Sequence, residues 1–176
     1  MLQIRISGVV DESVVDGPGI RMVIFTQGCV HNCPGCHNPQ THDPAGGEAA
    51  ETDELIARCL RHKYIKGLTI SGGEPFLQAE ACAEVAKQVR ESGRHVHVIV
   101  YSGYSWEELT KLGIKDVSVQ KLLQNTDVLV DGRFISAQKN LDLPFRGSDN
   151  QRVIDVPASF LAGTPVILRW GRELAK

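Results

Sequence analysis

Apolar positions along this chain fall into short runs of strand length that alternate with segments of helical period. Ile20-Arg21-Met22-Val23-Ile24-Phe25 is apolar at nearly every position, which predicts a largely buried strand. Leu55, Ile56, Cys59 and Leu60 share one face of a helix predicted over Thr52–His62, with Thr52 placed to cap it. Gly67-Leu68-Thr69-Ile70 predicts a second strand, ending in Ser71-Gly72-Gly73-Glu74-Pro75. Cys82, Val85, Ala86 and Val89 then recur at helical spacing within Ala79–Glu91. A further strand is predicted over His95–Val100. Ser105 and Glu108 form a capping box for a short helix. Asp127–Asp131 reads as a strand, and Gln151–Val156 and Val166–Trp170 are expected to close the sheet. Val30–Gly47 and Gly132–Asn150 carry no period. The first is rich in Pro, Gly, Asn and His, and loops of that length in a compact domain are usually functional.

Strands alternating with helices imply βαβ units and a parallel sheet. A complete eightfold barrel takes about 250 residues, and this chain has 176. The expected fold is therefore one α/β domain over residues 1–176, a partial, open (βα) barrel. Ligands in such folds gather at the carboxyl ends of the strands. Cys29, Gly72 to Glu74, Ser102 and Asp131 all follow predicted strands, so the pattern places them on one rim.

Composition narrows the class. A net charge of -2 leaves no electrostatic footprint for nucleic acid or an anionic membrane. No apolar run reaches the roughly 20 residues of a membrane span. Met1–Arg5 does not open a secretory signal, so the cytoplasm is the expected location. Of five cysteines, three crowd into Cys29–Cys36 with His31 and His37 beside them. Cys59 and Cys82 sit on apolar helix faces and read as small buried residues. His42, His62, His95 and His97 read as solvated or structural, the last two on the polar side of a strand.

Cys29-x3-Cys33-x2-Cys36 is a compact thiolate set, and Pro34-Gly35 permits its tight reversal. Thiolates suit iron–sulfur clusters and zinc alike, so spacing alone leaves both open. Structural zinc sites usually pair ligands from two separated knuckles. Redox chemistry at Cys33-x-x-Cys36 leaves Cys29 unexplained. A four-iron cube held by three thiolates keeps one iron open to the amine and carboxylate of a small molecule, just as catalytic metal sites keep an open position.

Followed by a strand and Gly72-Gly73-Glu74-Pro75, this cysteine motif resembles the radical S-adenosylmethionine superfamily. Asp16-Gly17-Pro18-Gly19-Ile20-Arg21 resembles the glycyl-radical-enzyme activases within it. Gly28–Asn38, Val128–Phe134 and Arg146–Gln151 are similar to the activases of anaerobic ribonucleoside-triphosphate reductase, and the short length fits them. The resemblance implies a [4Fe–4S] cluster on Cys29, Cys33 and Cys36. It further implies S-adenosyl-L-methionine running past the backbone of Gly35, Cys36 and His37. Gly72 and Gly73 would admit its methionine moiety, Glu74 would meet its ammonium, Asp131 its ribose and Arg133 its carboxylate. Ser102 and Asn150 are further candidates of this kind. Gly35 stands where the superfamily carries an aromatic residue, so His37 or Phe25 is expected to shield the adenine.

The implied reaction is one-electron cleavage of S-adenosylmethionine to a 5′-deoxyadenosyl radical, which installs a glycyl radical on the reductase. A low-potential donor such as flavodoxin would supply the electron. Arg146 is a candidate for docking the partner or shaping the pocket entrance. Three rivals remain: an activase of another glycyl-radical enzyme such as pyruvate formate-lyase, a small-molecule radical enzyme, and a non-catalytic zinc or electron-transfer module.

Overall fold

A computed structural model describes residues 2–170. Its described strands form one sheet: β1 (Gln3–Ser13), β2 (Arg21–Thr26), β3 (Glu48–Glu51), β4 (Gly67–Gly72), β5 (His97–Tyr101), β6 (Val128–Asp131), β7 (Arg152–Asp155) and β8 (Val166–Ile167). Their order is β3-β1-β2-β4-β5-β6-β7-β8, and the sheet is not closed. The helices are α1 (Thr52–Arg61), α2 (Ala79–Glu91), α3 (Trp106–Gly113), α4 (Val117–Gln124) and α5 (Val156–Ala162). None is long and apolar enough to cross a membrane.

The expected parallel sheet is confined to the centre. β2, β4, β5 and β6 pair in parallel, joined through α1, α2 and the α3–α4 pair. The flanks are antiparallel: β1 and β3 on one side, β7 and β8 on the other. β1 was not expected, because Gly8 and the polar run Asp11-Glu12-Ser13 break its alternation and its register shifts twice against β2. The strand expected from His95 begins at His97 instead. His95 adopts a left-handed φ of 53°, which ends any extended run. The last strand stops at Ile167 rather than Trp170.

Along the central strands, side chains alternate between two faces. Met22, Ile24, Leu68, Ile70, Val98 and Val100 point to the side covered by helices and join the main core. There Cys59 and Cys82 are fully buried, as their helical spacing predicts. Burial pushes the Cys59 thiol up to about 11 and the Cys82 thiol higher still, so both are inert at neutral pH. Thr52 does not cap α1. It is the buried first residue of the helix, and Glu51 takes the cap position. The Ser105–Glu108 capping box forms as its spacing predicts.

Ile99, Val128, Val130 and Val153 pack on the opposite face. The same face buries Arg21, whose guanidinium donates to the Thr69 hydroxyl (2.8 Å) and to the carbonyls of Pro18 (3.1 Å), Leu68 (2.8 Å) and His97 (2.8 Å). No carboxylate is among these partners, and burial pulls its pKa down to about 10. A Cβ at Gly17 would come within 2.9 Å of the Arg21 side chain, and one at Gly67 would overlap the guanidinium. The Asp16–Arg21 motif thus reads physically as a buried cation stitching three strands, with glycines clearing its path.

Candidate functional site

The cysteine loop leaves the carboxyl end of β2 and is folded back by backbone pairing. Gly28 N–H donates to Thr41 O (2.8 Å) and Cys29 N–H to His42 O (3.1 Å). Asn32 (φ 45°) and Gly35 (φ 75°) take left-handed conformations, and Cys36 N–H closes a turn onto Cys33 O at 3.1 Å. Cys29, Cys33 and Cys36 are free thiols, half-buried at the rim of the sheet. Burial raises the pKa of Cys29.

The turn after β4 is zipped onto the start of this loop. Gly73 N–H donates to Thr26 O and Glu74 N–H to Gly28 O, both at 2.8 Å, while the Thr26 hydroxyl donates to Ser71 O. This explains both glycines. A Cβ at Gly72 would lie 2.5 Å from Thr26 N, and one at Gly73 would overlap the Gly28 carbonyl. Their close neighbour is the backbone leading to Cys29, whereas the expectation made it a bound methionine moiety.

Glu74 is fully buried and surrounded by protein donors. Phe76 N–H (3.1 Å), the Ser102 hydroxyl (2.9 Å) and Gly103 N–H (2.9 Å) donate to its carboxylate. His31 Nε2 lies 2.7 Å from the same group. Arg133 Nε donates to His31 Nδ1 at 3.2 Å, which leaves Nε2 as the nitrogen that donates to Glu74. Glu74 therefore ties the cysteine loop, the β4 turn and the β5 turn into one unit, and its lone pairs face protein rather than an incoming ammonium. Ser102, a lesser candidate, belongs to this unit. His31 was passed over as a member of it. Its place between Cys29 and Cys33 was the available signal.

Asp131 ends β6 and is buried. It accepts from Trp106 N–H (2.7 Å) and from Arg152 at two nitrogens (2.5 and 3.0 Å). Arg152 also grips Glu107, pulling that carboxyl down to about 2. These partners hold Asp131 in place, two of them on Oδ2 and one on Oδ1. Arg133 is exposed and lies 3.6 Å from Glu108, on the His31 side of the loop.

Two cavities flank the cysteine turn. One, of 590 Å³, lies on the open face of the sheet and is lined by Phe25, Cys36, His37, Tyr101, Phe134 and Arg146, among others. The other, of 380 Å³, is lined by His31, Cys33, Arg133, Phe134 and Asn150, among others. Phe134 is the wall they share. Its ring lies 5.3 Å from that of His37 and packs over Gly35, where a Cβ would meet it at 3.5 Å. His37 and Phe25, the rings expected beside adenine, both line the first cavity. Phe134, given no role from the sequence, is the ring nearest to the missing side chain of Gly35, with the Ser136 hydroxyl equally close at 3.5 Å.

These features fit an iron–sulfur cluster. The three thiols are accessible on one tightly reversed loop. Among the described residues no three His, Cys, Asp or Glu side chains converge on a single point. A cube takes one thiolate at each of three separate irons and does not ask for that convergence.

The class follows from a family comparison: residues 15–154 match the family described as a 4Fe-4S single cluster domain. The chain is 38% identical to an anaerobic ribonucleoside-triphosphate reductase-activating protein of Vibrio cholerae, over 78% of this chain and 89% of that one. It is 33% identical to the protein of the same name from Enterobacteria phage T4, over 79% and 86%. A pyruvate formate-lyase-activating enzyme of Clostridium pasteurianum is 41% identical over 63% of this chain, but over only 50% of its own length. The chain belongs to the family of anaerobic ribonucleoside-triphosphate reductase-activating proteins.

Proposed function

We propose that this chain is a one-domain activase that uses a [4Fe–4S] cluster and S-adenosylmethionine to install a glycyl radical on anaerobic ribonucleoside-triphosphate reductase. The observation that carries the reading is the half-buried thiol set Cys29, Cys33 and Cys36, on a loop locked to the β4 turn, in a chain related to such activases over most of its length. When bound, the cluster and S-adenosylmethionine supply one-electron cleavage of the sulfonium and so a means of taking a hydrogen atom from the partner's glycine.

The chain's own residues hold, orient and exclude. Cys29, Cys33 and Cys36 ligate the cluster. The backbone of Gly35, Cys36 and His37 runs beside the cofactor, with Phe134 as the nearest ring to Gly35. Gly72 and Gly73 keep the β4 turn pressed on the loop, and Glu74 with His31 fixes its position. Asp131 and Arg133 act through their protein partners, holding α3 and His31. A sheet curved into an open partial barrel leaves a lateral entrance for a protein substrate. The cytoplasm, with a flavodoxin as electron donor, suits a low-potential reaction.

The identity to the Clostridium enzyme favours a second reading, activation of pyruvate formate-lyase, although the match spans half of that enzyme. One experiment decides between them. Anaerobically reconstituted, reduced protein is incubated with S-adenosylmethionine and either partner, and electron paramagnetic resonance is scored for the glycyl doublet. The reductase is expected to give it. A doublet on the lyase alone would exchange the readings, and no doublet on either would reject both.

A further inference from the structure

Among the described residues that line the 590 Å³ cavity beside Cys36, Arg146 is the only Arg or Lys, and Asp16, which accepts from the Ser13 hydroxyl, is the one carboxylate. The Arg146 Nε is buried and has no acceptor among the described residues. A buried donor without a partner is costly, of order 1–3 kcal/mol, and asks for an explanation. Its placement is constrained. The preceding residue, Phe145, takes a left-handed φ of 57°, its carbonyl accepts from the Tyr101 hydroxyl at 2.7 Å, and its ring packs edge-on against Trp170. Arg133, the expected carboxylate binder, is engaged elsewhere with His31 and Glu108.

The lining of this cavity is mixed, with Asp16, Asn38 and Ser71 among its polar members and an apolar part beside them. Val15 and Leu143 line it. Val15 is 74% exposed, and Val14 (68%) and Leu141 (80%), one and two residues away from Val15 and Leu143 in sequence, are exposed apolar side chains as well. Exposed apolar side chains beside a cavity that holds a buried, unpaired donor suit the docking of a polypeptide.

The geometry points to Arg146 as the residue that grips the incoming polypeptide of the protein substrate, donating to a main-chain carbonyl of the glycine-bearing segment while Val14, Val15 and Leu141 seat its flanks. An extended segment offers carbonyl oxygens, and a glycine adds no side chain to obstruct its approach to Cys36. This inference rests on the function proposed above and adds the means by which the partner is held.

The test uses full-length, anaerobically reconstituted protein. Binding of S-adenosylmethionine and binding of the reductase are measured separately by calorimetry, for the wild type and Arg146→Gln. A wild type that binds neither would defeat the proposed function itself, independently of Arg146. Given wild-type binding, Arg146→Gln is expected to weaken the reductase complex about ten-fold or more while leaving cofactor affinity unchanged. Lost cofactor affinity would make Arg146 a cofactor residue and overturn the assignment, as would an unchanged reductase complex. Should Arg146→Gln fail to fold, Val15→Asp on the exposed rim carries the same comparison, with the same results expected and the same results overturning it.

Discussion

The two faces of the central sheet are built on different terms. On the helix-covered face, Leu68, Ile70, Val98, Val100 and Leu129 join one apolar cluster, and even its two cysteines behave as small hydrophobes. On the other face the same strands present Arg21, Thr69 and Tyr101, with a cavity between Tyr101 and the cysteine loop. The first face is interchangeable packing, where volume matters more than identity. The second has its own small apolar cluster, but around Arg21 it is specified atom by atom, through hydrogen bonds from a buried guanidinium. Substitutions should therefore separate into two kinds: graded losses of stability on one side, and loss of the metal centre or of a discrete network on the other.

The sharpest separation is among the cysteines. Cys29→Ala, Cys33→Ala and Cys36→Ala should each abolish iron binding and activity. Cys59→Ala and Cys82→Ala should keep both, at a cost of about 1–2 kcal/mol. Iron content after anaerobic reconstitution, together with chemical denaturation, checks this. Iron lost from a folded Cys82→Ala protein would show the faces are not independent.

Next in size is Gly73→Ala. If the glycine served only to admit a ligand, the variant would hold its cluster and lose S-adenosylmethionine binding. The added Cβ overlaps the Gly28 carbonyl, one residue before Cys29, so the loop itself must shift. Reduced iron occupancy is expected along with weakened cofactor binding. A fully loaded cluster in Gly73→Ala would restore the ligand-path explanation.

The central strands, α1, α2 and the cysteine loop were legible in the sequence because their patterns are local: apolar runs, helical spacing, and three cysteines in a row of turn formers. α4 was passed over although Asp116 caps it and Val119, Leu122 and Leu123 recur at helical spacing, so the signal was present and unread. β3 is too short, at four residues, to show a period. The roles given to Glu74 and Asp131 were of another kind. Both were correctly placed on the rim, but a motif does not say whether a carboxylate faces a ligand or a protein donor. His31, Ser102 and Arg152 lie 43, 28 and 21 residues from their carboxylate partners, and only the fold brings them together.

The open-face network can be cut at Arg21. Arg21→Leu keeps much of the volume but strands the Thr69 hydroxyl and the carbonyls of Leu68 and His97 without their donor. A loss of about 2–4 kcal/mol in urea unfolding is expected, with iron binding retained because the change is at the end of β2 away from the cysteines. A loss below about 1 kcal/mol would place this face with the graded, packing-dominated one.

The smallest effect should come from His97, on the same face as Arg21. Burial is the main cause lowering its pKa below the ordinary 6.5, Asp127 and Asp155 oppose it, and Arg21 and Arg90 reinforce it. The folded protein therefore holds this ring neutral at pH values where the unfolded chain would protonate it. The unfolded state binds more protons in that window, so stability rises with pH there. The contribution is complete above about pH 6.5, the unfolded value, and is lost progressively as pH falls from there toward the lower folded value. Its Nδ1 is buried without a partner, so no acceptor rewards the extra proton. His97→Gln removes the titration, while the backbone carbonyl that receives Arg21 is retained. Thermal midpoints at pH 7.5 and pH 5.5 should differ less in the variant than in the wild type. An equal or larger difference would mean that the acid sensitivity of this face arises from some other group.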